Sequence, residues 1–435
     1  MPYLRGIVRS SLLFGCAALL ANCEERAATR NAPRPITPKI GAPSGLGVRA
    51  SAPAPPAPTA RQADAFNVSE IPEEREPEAK GGAPGDKVPS RLVINEAQVI
   101  APAGQMTATP EGVVMINRRD ELLLARRLGA RSSARPEKAN FSRVKGTAND
   151  FFAVARGPLV LRGHAYWIKE GQLVRRALDN STPLEVLSRD ARNGTRVVGA
   201  DLPGAPAHAL YISNPIADEA PRAKLWVERA GTIHLSPEGA GASSVAVAIT
   251  GREAFVVAID ARSAMTPMHG RSLRFKGGQA ELDADVVMWV GSTSQTLSEV
   301  FASATPLGVR AFLPIERDTR HFGLVMLELG SAPQMDPKAT FRAYPNGIDV
   351  APVASGAFCG SAFVAYVRPE TPSPDSREVL EIAEISEAGL GPAELIDTAR
   401  GFANLSLAAA TNSAVLAYVA DFRTFATTLR CAHQK

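Results

Sequence analysis

Short apolar strands separated by tight turns predict an all-β fold for residues 91–435. Runs of Val, Ile, Leu, Phe and Ala alternate with Gly, Pro, Asn and Asp, and no stretch keeps the 3.6-residue periodicity of an amphipathic helix. One unit recurs along this region. It consists of a strand of small residues and Val, a tight turn, a second apolar strand, a polar loop and a third strand that carries charge.

Four copies of this unit are clear in the sequence. Their first and second strands are predicted at 245–249 and 254–259, 299–304 and 309–313, 350–354 and 362–367, and 405–410 and 414–419. Weaker copies place the second strand near Gly112, His164 and Ala207. Second strands therefore begin near residues 112, 164, 207, 254, 308, 362 and 413, at a spacing of 43 to 54 residues.

Repeats of this length, built from about four strands, are typical of a β-propeller, and seven units predict seven blades. The first strand of each blade would line a crowded central channel, which explains its Ala, Gly and Val. Two stacked β-domains or a six-bladed ring are the alternatives. The segment 164–176 resembles the Tyr-Trp strand and the following Ile/Val-x-Arg strand of propellers with YWTD-like repeats, and this resemblance implies propeller architecture.

The two ends of the repeat region predict how the ring closes. The last unit supplies three strands and ends at 424–431, one strand short of a blade. The segment 91–100 has the composition of a strand but belongs to no unit. It is predicted to pair with the C-terminal strand and so remove an open sheet edge.

The first 22 residues predict an export signal. Arg5 and Arg9 precede an apolar run over 11–21, which is too short for the roughly 20 residues of a transmembrane helix. Leu20, Ala21 and Cys23 resemble the lipobox of bacterial lipoproteins, whereas Asn22 is larger than the residue usual before the cysteine. The resemblance implies lipidation at Cys23 and a lipid-anchored protein of the cell envelope, on the periplasmic side or the outer surface. Ordinary cleavage after Ala21, which would give a secreted protein, and no processing at all are the alternatives.

Residues 23–90 are predicted to form a flexible tether. Twelve of the 34 prolines fall there among Ala and Gly, and bulky apolar residues are almost absent. Such a composition cannot bury enough apolar surface to offset the entropy of ordering. The predicted organisation is therefore a signal peptide over 1–22, a Pro/Ala-rich tether over 23–90 and a propeller over 91–435.

The net charge and the cysteine and histidine content indicate which partners, crosslinks and cofactors to expect. Removal of 1–22 takes away Arg5 and Arg9 and lowers the net charge from +4 to +2, which argues against nucleic acid as a partner. Cys359 and Cys431 remain beyond the signal region, and in an oxidising compartment they predict a disulfide that closes a loop of about 72 residues, worth ~4 kcal/mol. Two unpaired thiols are the alternative. Two cysteines and six scattered histidines show no metal-ligand spacing, so neither a metal nor another cofactor is expected.

No motif of the sequence identifies a reaction. Glu281, Asp283 and Asp285 alternate and could share one face of a strand as an acid/base or cation site, but a solvated strand start is the simpler explanation. The positions just before predicted inner strands are the first choice for a binding rim, because they would meet at one mouth of the channel. These positions are Glu299, Asp349 and Asn404.

Two functions compete on these observations. The leading hypothesis is a non-enzymatic binding or interaction module, held to a membrane by its N-terminal lipid, with a protein or a glycan as partner. The alternative is an extracytoplasmic hydrolase or lyase with its site at the channel mouth, which rests on analogy between folds alone.

Overall fold

A computed structural model describes residues 92–110, 112–116, 120–126, 157–214, 219–236, 240–259, 267–290, 299–305, 308–318, 321–330, 338–344, 353–371, 376–386 and 389–432. The predicted signal peptide, the lipidation site Cys23, the tether and the predicted rim residue Asp349 lie outside the described residues.

The described residues form 28 strands in seven antiparallel sheets. Strands β1 (Leu92–Ile94) and β2 (Gln98–Pro102) precede the first sheet along the chain. Blade 1 contains β3 (Met106–Thr109), β4 (Gly112–Ile116) and β5 (Leu122–Arg126). Blade 2 contains β6 (Leu159–Leu161), β7 (His164–Lys169), β8 (Gln172–Ala177) and β9 (Glu185–Ser188). Blade 3 contains β10 (His208–Ile212), β11 (Ala223–Val227) and β12 (Gly231–His234).

The remaining four sheets follow in the same order. Blade 4 contains β13 (Ser244–Thr250), β14 (Glu253–Ile259), β15 (Pro267–Lys276), β16 (Gln279–Leu282) and β17 (Val286–Val290). Blade 5 contains β18 (Phe301–Thr305), β19 (Gly308–Asp318), β20 (His321–Gly330) and β21 (Lys338–Tyr344). Blade 6 contains β22 (Val353–Phe358), β23 (Ser361–Pro369), β24 (Glu378–Ser386) and β25 (Gly389–Ala399). Blade 7 contains β26 (Phe402–Ala410), β27 (Ser413–Ala420) and β28 (Arg423–Cys431), with β1 and β2 added to β28.

The first strands of the blades follow one another around a central channel. β3 contacts β6, β13 contacts β18, β18 contacts β22, β22 contacts β26, and β26 contacts β3. In blade 3 the inner position is taken by Val198, which forms a bridge to Leu210 of β10. The fold is a seven-bladed β-propeller, which confirms the predicted fold class and excludes the two alternatives. We call the end where the inner strands begin the front face, and the opposite end the back face.

The second strands confirm the repeat on which the fold prediction rested. They begin at residues 112, 164, 208, 253, 308, 361 and 413, each within one residue of the predicted position. Tyr166 and Trp167 of β7 lie on opposite faces of their sheet, as neighbours in a strand must. Both are buried, because each face of a blade packs against another blade.

The hydrophobic core is divided among the interfaces between blades. Seven clusters of buried apolar residues are present in the described part of the chain, and each joins one pair of neighbouring blades. Tyr166 belongs to the cluster between blades 2 and 3, and Trp167 to the cluster between blades 1 and 2. The cluster between blades 7 and 1 joins Val415 and Ala417 to Met106 and Val113. The ring is therefore closed by apolar packing as well as by strand pairing.

Small residues allow the inner strands to approach one another closely. A β-carbon at Gly157, just before β6, would overlap the carbonyl oxygen of Met106 in β3. A β-carbon at Gly356 in β22 would lie 3.3 Å from side-chain atoms of Leu407 and Ala409 in β26. Larger side chains at these two positions would push neighbouring blades apart, so the Ala and Gly content of the first strands follows from the narrowness of the channel.

The N-terminal strands complete blade 7, as the sequence predicts. Ile94 of β1 pairs with Leu429, and Val99 of β2 pairs with Phe425, so both strands add to β28. Between them, the amide of Asn95 donates to the carbonyl oxygen of Thr428 at 3.1 Å. One sheet thus contains both ends of the repeat region.

A disulfide joins Cys359 and Cys431, with the two Cα atoms 5.4 Å apart. Cys359 lies in the turn between β22 and β23 of blade 6, and Cys431 ends β28 of blade 7. Their amides donate to carbonyl oxygens in the turn between β26 and β27, those of Thr411 and Asn412 respectively. The bond therefore connects the closing blade to its neighbour on the back face.

Two buried tyrosines make the same contact between blades. Tyr211 of β10 donates to Asp190 at 2.9 Å, and Tyr418 of β27 donates to Asp397 at 2.7 Å. In each pair the aspartate lies 21 residues upstream, at the outer strand of the preceding blade.

Burial raises the pKa of Tyr211 to about 12, and it also raises the pKa of Tyr418. Burial opposes ionisation of Asp190, but hydrogen bonds from Lys224, Ser188 and Tyr211 prevail and lower its pKa.

The strand pairing in blade 7 predicts a sharp boundary for N-terminal truncation. A chain that begins at Ser90 should unfold at the same temperature as one that begins at Cys23. A chain that begins at Ala103 lacks β1 and β2 and exposes the edge of β28, so we expect aggregation or a fall in Tm of about 10 °C or more. Calorimetry and size-exclusion chromatography of the three chains measure this. A soluble monomer of unchanged Tm from the shortest chain would show that closure by β1 and β2 contributes little.

The tyrosine contacts predict a loss of stability in alkali. A folded-state pKa above the unfolded value of about 10 means that the stabilisation is complete below pH 10 and is lost as the pH rises through the folded pKa. Tm should therefore fall steeply between pH 10 and pH 12. A double variant with Tyr211→Phe and Tyr418→Phe should be less stable at pH 8 but lose less of its stability over that range. Equal slopes for the two proteins would mean that these hydroxyls do not titrate with unfolding.

Candidate functional site

A cavity of about 570 Å³ lies at the centre of the ring, and all seven blades contribute to it. Its walls are formed by inner strands and by the segments that lead into them, namely 106–110, 157–160, 196–199, 246–247, 299, 301–302, 353–355 and 402–407. Protein interiors are otherwise close-packed, and concave sites of this size are where ligands bind. The cavity is therefore the candidate site.

The structure brings two of the predicted rim residues into this cavity. Glu299 lies just before β18 of blade 5, lines the cavity and is 8% exposed. Asn404 of blade 7 also lines the cavity, although it lies inside β26 and not before it as predicted. The prediction placed the start of this strand at residue 405, whereas the strand begins at Phe402.

Asn404 occupies an irregular part of its strand. The register of β26 against β27 shifts between Ala403 and Ser406, and Asn404 has a positive φ of 51°. Asparagine adopts this conformation more readily than most residues because its short amide can bond locally. A β-bulge bends a strand and redirects its side chains, and bulges are common beside functional sites. Asn404 is therefore held in a conformation that the regular ladder of β26 does not require.

Sequence reasoning missed the cation of the cavity. Arg196 precedes the inner segment of blade 3, and its guanidinium carbon lies 4.2 Å from the centre of the Phe301 ring in blade 5. A guanidinium over an aromatic face at this distance is a cation–π contact. The side chain thus reaches past blade 4 to the wall formed by blade 5. Glu299 was predicted because it comes just before an inner strand, and Arg196 occupies the same kind of position. It was not predicted because the inner segment of blade 3 forms a single bridge, at Val198, and has no strand pattern in the sequence.

Hydroxyl groups line the part of the cavity between blades 7 and 1. Ser406 Oγ accepts a hydrogen bond from the amide of Ala108 at 2.9 Å and lies 3.1 Å from Thr107 Oγ1. Ser355 of blade 6 and Thr109 of blade 1 also line the cavity. Together with the guanidinium, the carboxylate and the amide described above, these groups supply donors and acceptors without a large net charge. The cavity therefore suits a polar ligand of low net charge.

The alternating carboxylates of blade 4 belong to ion pairs. Arg274 binds Glu281 at 3.0 Å and Asp283 at 3.1 Å. Asp285 lies 2.6 Å from Nδ1 of His269, in the third strand of the same blade. The side chains of Glu281 and Asp283 are 41% and 44% exposed, as a solvated strand start implies, whereas that of Asp285 is buried. The partners of all three carboxylates come from β15. None of the three carboxylates lines the central cavity.

The described residues contain neither a metal-binding cluster nor a membrane-spanning helix. No group of three or more His, Cys, Asp or Glu side chains there is arranged to hold a metal ion. No helix in the described ranges is long and apolar enough to cross a membrane.

Comparisons with known proteins return structural similarity alone. No protein-family model matches the sequence, and no curated protein matches it. Among solved structures, the N-terminal domain of Nup159 is similar with 9% identity and a TM-score of 0.45, over 83% of this chain and 98% of that domain. A six-bladed lectin from Aleuria aurantia has 10% identity and a TM-score of 0.37, over 62% and 88% of the two chains. AofleA from Arthrobotrys oligospora has 10% identity and a TM-score of 0.36, over 83% and 91%. Similarity at this level carries no argument about function, so the fold assignment rests on the seven sheets and their order around the channel.

Proposed function

We propose that this protein is a binding module whose ligand-binding site is the central cavity. The observation that carries the proposal is the convergence of three side chains from three blades on one cavity. Arg196 comes from blade 3, Glu299 from blade 5 and Asn404 from blade 7. They are far apart in sequence, and they place a cation, an anion and an amide among the Ala and Val residues of the channel wall. A polar ligand would use all three.

The composition of the cavity favours binding over hydrolysis. General acid–base catalysis needs a pair of titratable groups at the reacting bond, and a nucleophilic mechanism needs an activated hydroxyl or thiol. Among the described wall residues, Glu299 is the one carboxylate, and no histidine accompanies it. The hydrolase or lyase alternative would have to draw its second group from elsewhere.

We propose that the module is held at the cell envelope. The charged start, the short apolar run and Cys23 support export and lipid attachment, and the proline-rich composition of 23–90 supports a tether. The chain enters the propeller at Leu92, which pairs with Cys431 on the back face. Leu92 and the front face therefore lie at opposite ends of the channel, and an envelope glycan or a protein segment would be the source of the polar ligand.

Lipid attachment is tested by metabolic labelling in a bacterial host. A radiolabelled or clickable fatty acid should mark the wild-type protein, and Cys23→Ala should abolish the label. Cys16→Ala is the matched control and should keep it, because that cysteine lies within the apolar part of the signal. Labelling that persists in Cys23→Ala would refute this anchor.

Ligand binding is tested by thermal shift with two panels, one of oligosaccharides and one of short polar peptides. A ligand present at 100 times its Kd stabilises the folded state by about 2.7 kcal/mol, which gives a measurable rise in Tm. Asn404→Gly should abolish this rise and leave the Tm of the free protein unchanged, because glycine accepts the positive φ but has no amide.

Asn180→Gly provides the matched control for the Asn404 variant. Asn180 also has a positive φ, of 59°, but its amide bonds the backbone of Leu122 in the neighbouring blade at 2.9 Å. Its loss should lower Tm and leave the ligand-induced rise intact. A ligand-induced rise that survives both Asn404→Gly and Glu299→Gln would place the ligand outside the cavity.

A further inference from the structure

One exposed aromatic residue stands at the front face. Phe422 lies in the turn between β27 and β28, and its side chain is 66% exposed. The other large apolar side chains that are exposed in the described part of the chain are aliphatic: Val93, Val99, Val186, Ile249 and Leu395. Scattered exposed aliphatic residues need no explanation, but an exposed phenylalanine contributes a large flat apolar surface.

The backbone of this turn is unusual for the residue it holds. Among the described residues, five two-residue loops have a positive φ at both positions, as the twist of a hairpin favours. Glycine occupies the second position in four of them: Gly163, Gly171, Gly278 and Gly360. The fifth loop has Phe422 there, with φ of 61°. A positive φ strains the backbone of a bulky residue and so lowers the stability of the folded state. Residues with such strain cluster at functional positions.

The turn lies between the two segments that lead into neighbouring inner strands. Asp421 Oδ1 accepts a hydrogen bond from the amide of Arg400 at 3.1 Å, two residues before the cavity residue Phe402. The carbonyl oxygen of Phe422 accepts one from the amide of Ala103 at 3.0 Å, three residues before β3. Phe422 is thus fixed at the front face, one strand outward from the cavity wall that contains Asn404.

We infer that Phe422 is a stacking platform for a carbohydrate whose polar groups bind in the central cavity, an inference that rests on the proposed function. A sugar ring has an apolar C–H face and a rim of hydroxyls. It would place its C–H face on the Phe422 ring and direct its hydroxyls to the guanidinium, carboxylate, amide and hydroxyl groups of the cavity. A peptide also carries hydrogen-bond donors and acceptors, but a sugar ring combines them with a flat apolar face that fits a single exposed aromatic ring. A lipid surface would meet the ring but would not enter the cavity.

Three substitutions at this position separate stacking from its alternatives. Phe422→Gly removes the ring and relieves the positive φ, so Tm should stay the same or rise. Phe422→Trp keeps a flat aromatic face. Phe422→Leu keeps apolar surface without that face. Leu395→Ala is the control, because it removes a similarly exposed apolar side chain, at 58%, from the outer strand of blade 6.

The measurement is a screen on an oligosaccharide array, followed by calorimetry of the full chain with the best binder. We expect Phe422→Gly and Phe422→Leu to weaken binding about tenfold or more, and Phe422→Trp and Leu395→Ala to leave it within twofold.

Binding lost in Asn404→Gly but unchanged in Phe422→Gly would overturn the platform and leave the cavity proposal standing. Binding of a peptide and of no oligosaccharide would overturn the carbohydrate assignment alone. Binding to phosphatidylglycerol vesicles that is lost in Phe422→Gly but kept in Phe422→Leu would assign the residue to a lipid surface instead.

Discussion

The pairing of β1 and β2 with β28 is the constraint on which the rest of the molecule depends. Among the described residues, each blade buries its two faces against other blades, so none of the seven sheets there has a core of its own. The apolar cluster between blades 7 and 1 exists only if the last blade is complete and stands beside the first. Chain entropy opposes this contact, because the two ends of the repeat region are more than 300 residues apart. Strand pairing at the very ends of that region offsets the entropy, and the disulfide on the back face holds the same blade to blade 6.

Closure also sets the geometry of the candidate site. Asn404 and Ser406 belong to the closing blade, and Ser406 bonds the inner strand of blade 1 across the closing interface. The bulge that turns Asn404 toward the cavity therefore lies beside the place where the ring is joined. Arg196 and Glu299 approach from blades 3 and 5, which pack against blade 4 and take no part in the closing interface. A ligand held by all three would contact nearly the whole circumference of the channel and would stabilise the closed ring by mass action.

The sequence predicts the architecture well because the repeat is a property of composition. Small residues must line a narrow channel and apolar second strands must be buried on both faces, so every blade repeats the same signal and the second strands were located to within one residue. The site is less predictable because it depends on departures from that repeat. The bulge at Asn404, the single bridge after Arg196 and the residue of positive φ at Phe422 have no compositional signature. The 21-residue spacing between each buried tyrosine and its aspartate is visible in the sequence, but it acquires meaning only when the strands are placed.

Native-state amide hydrogen exchange tests the central claim most directly. If β1 and β2 close the ring, the amides of 92–94 and 98–101 should exchange only with global unfolding, with the same free energy as those of β28 and β3. Urea should then lower the protection of all four segments in parallel. Fast exchange of the N-terminal strands beside a fully protected β3 and β26 would contradict the account, because the ring would then be held by its interfaces without the strand pairing that is said to close it.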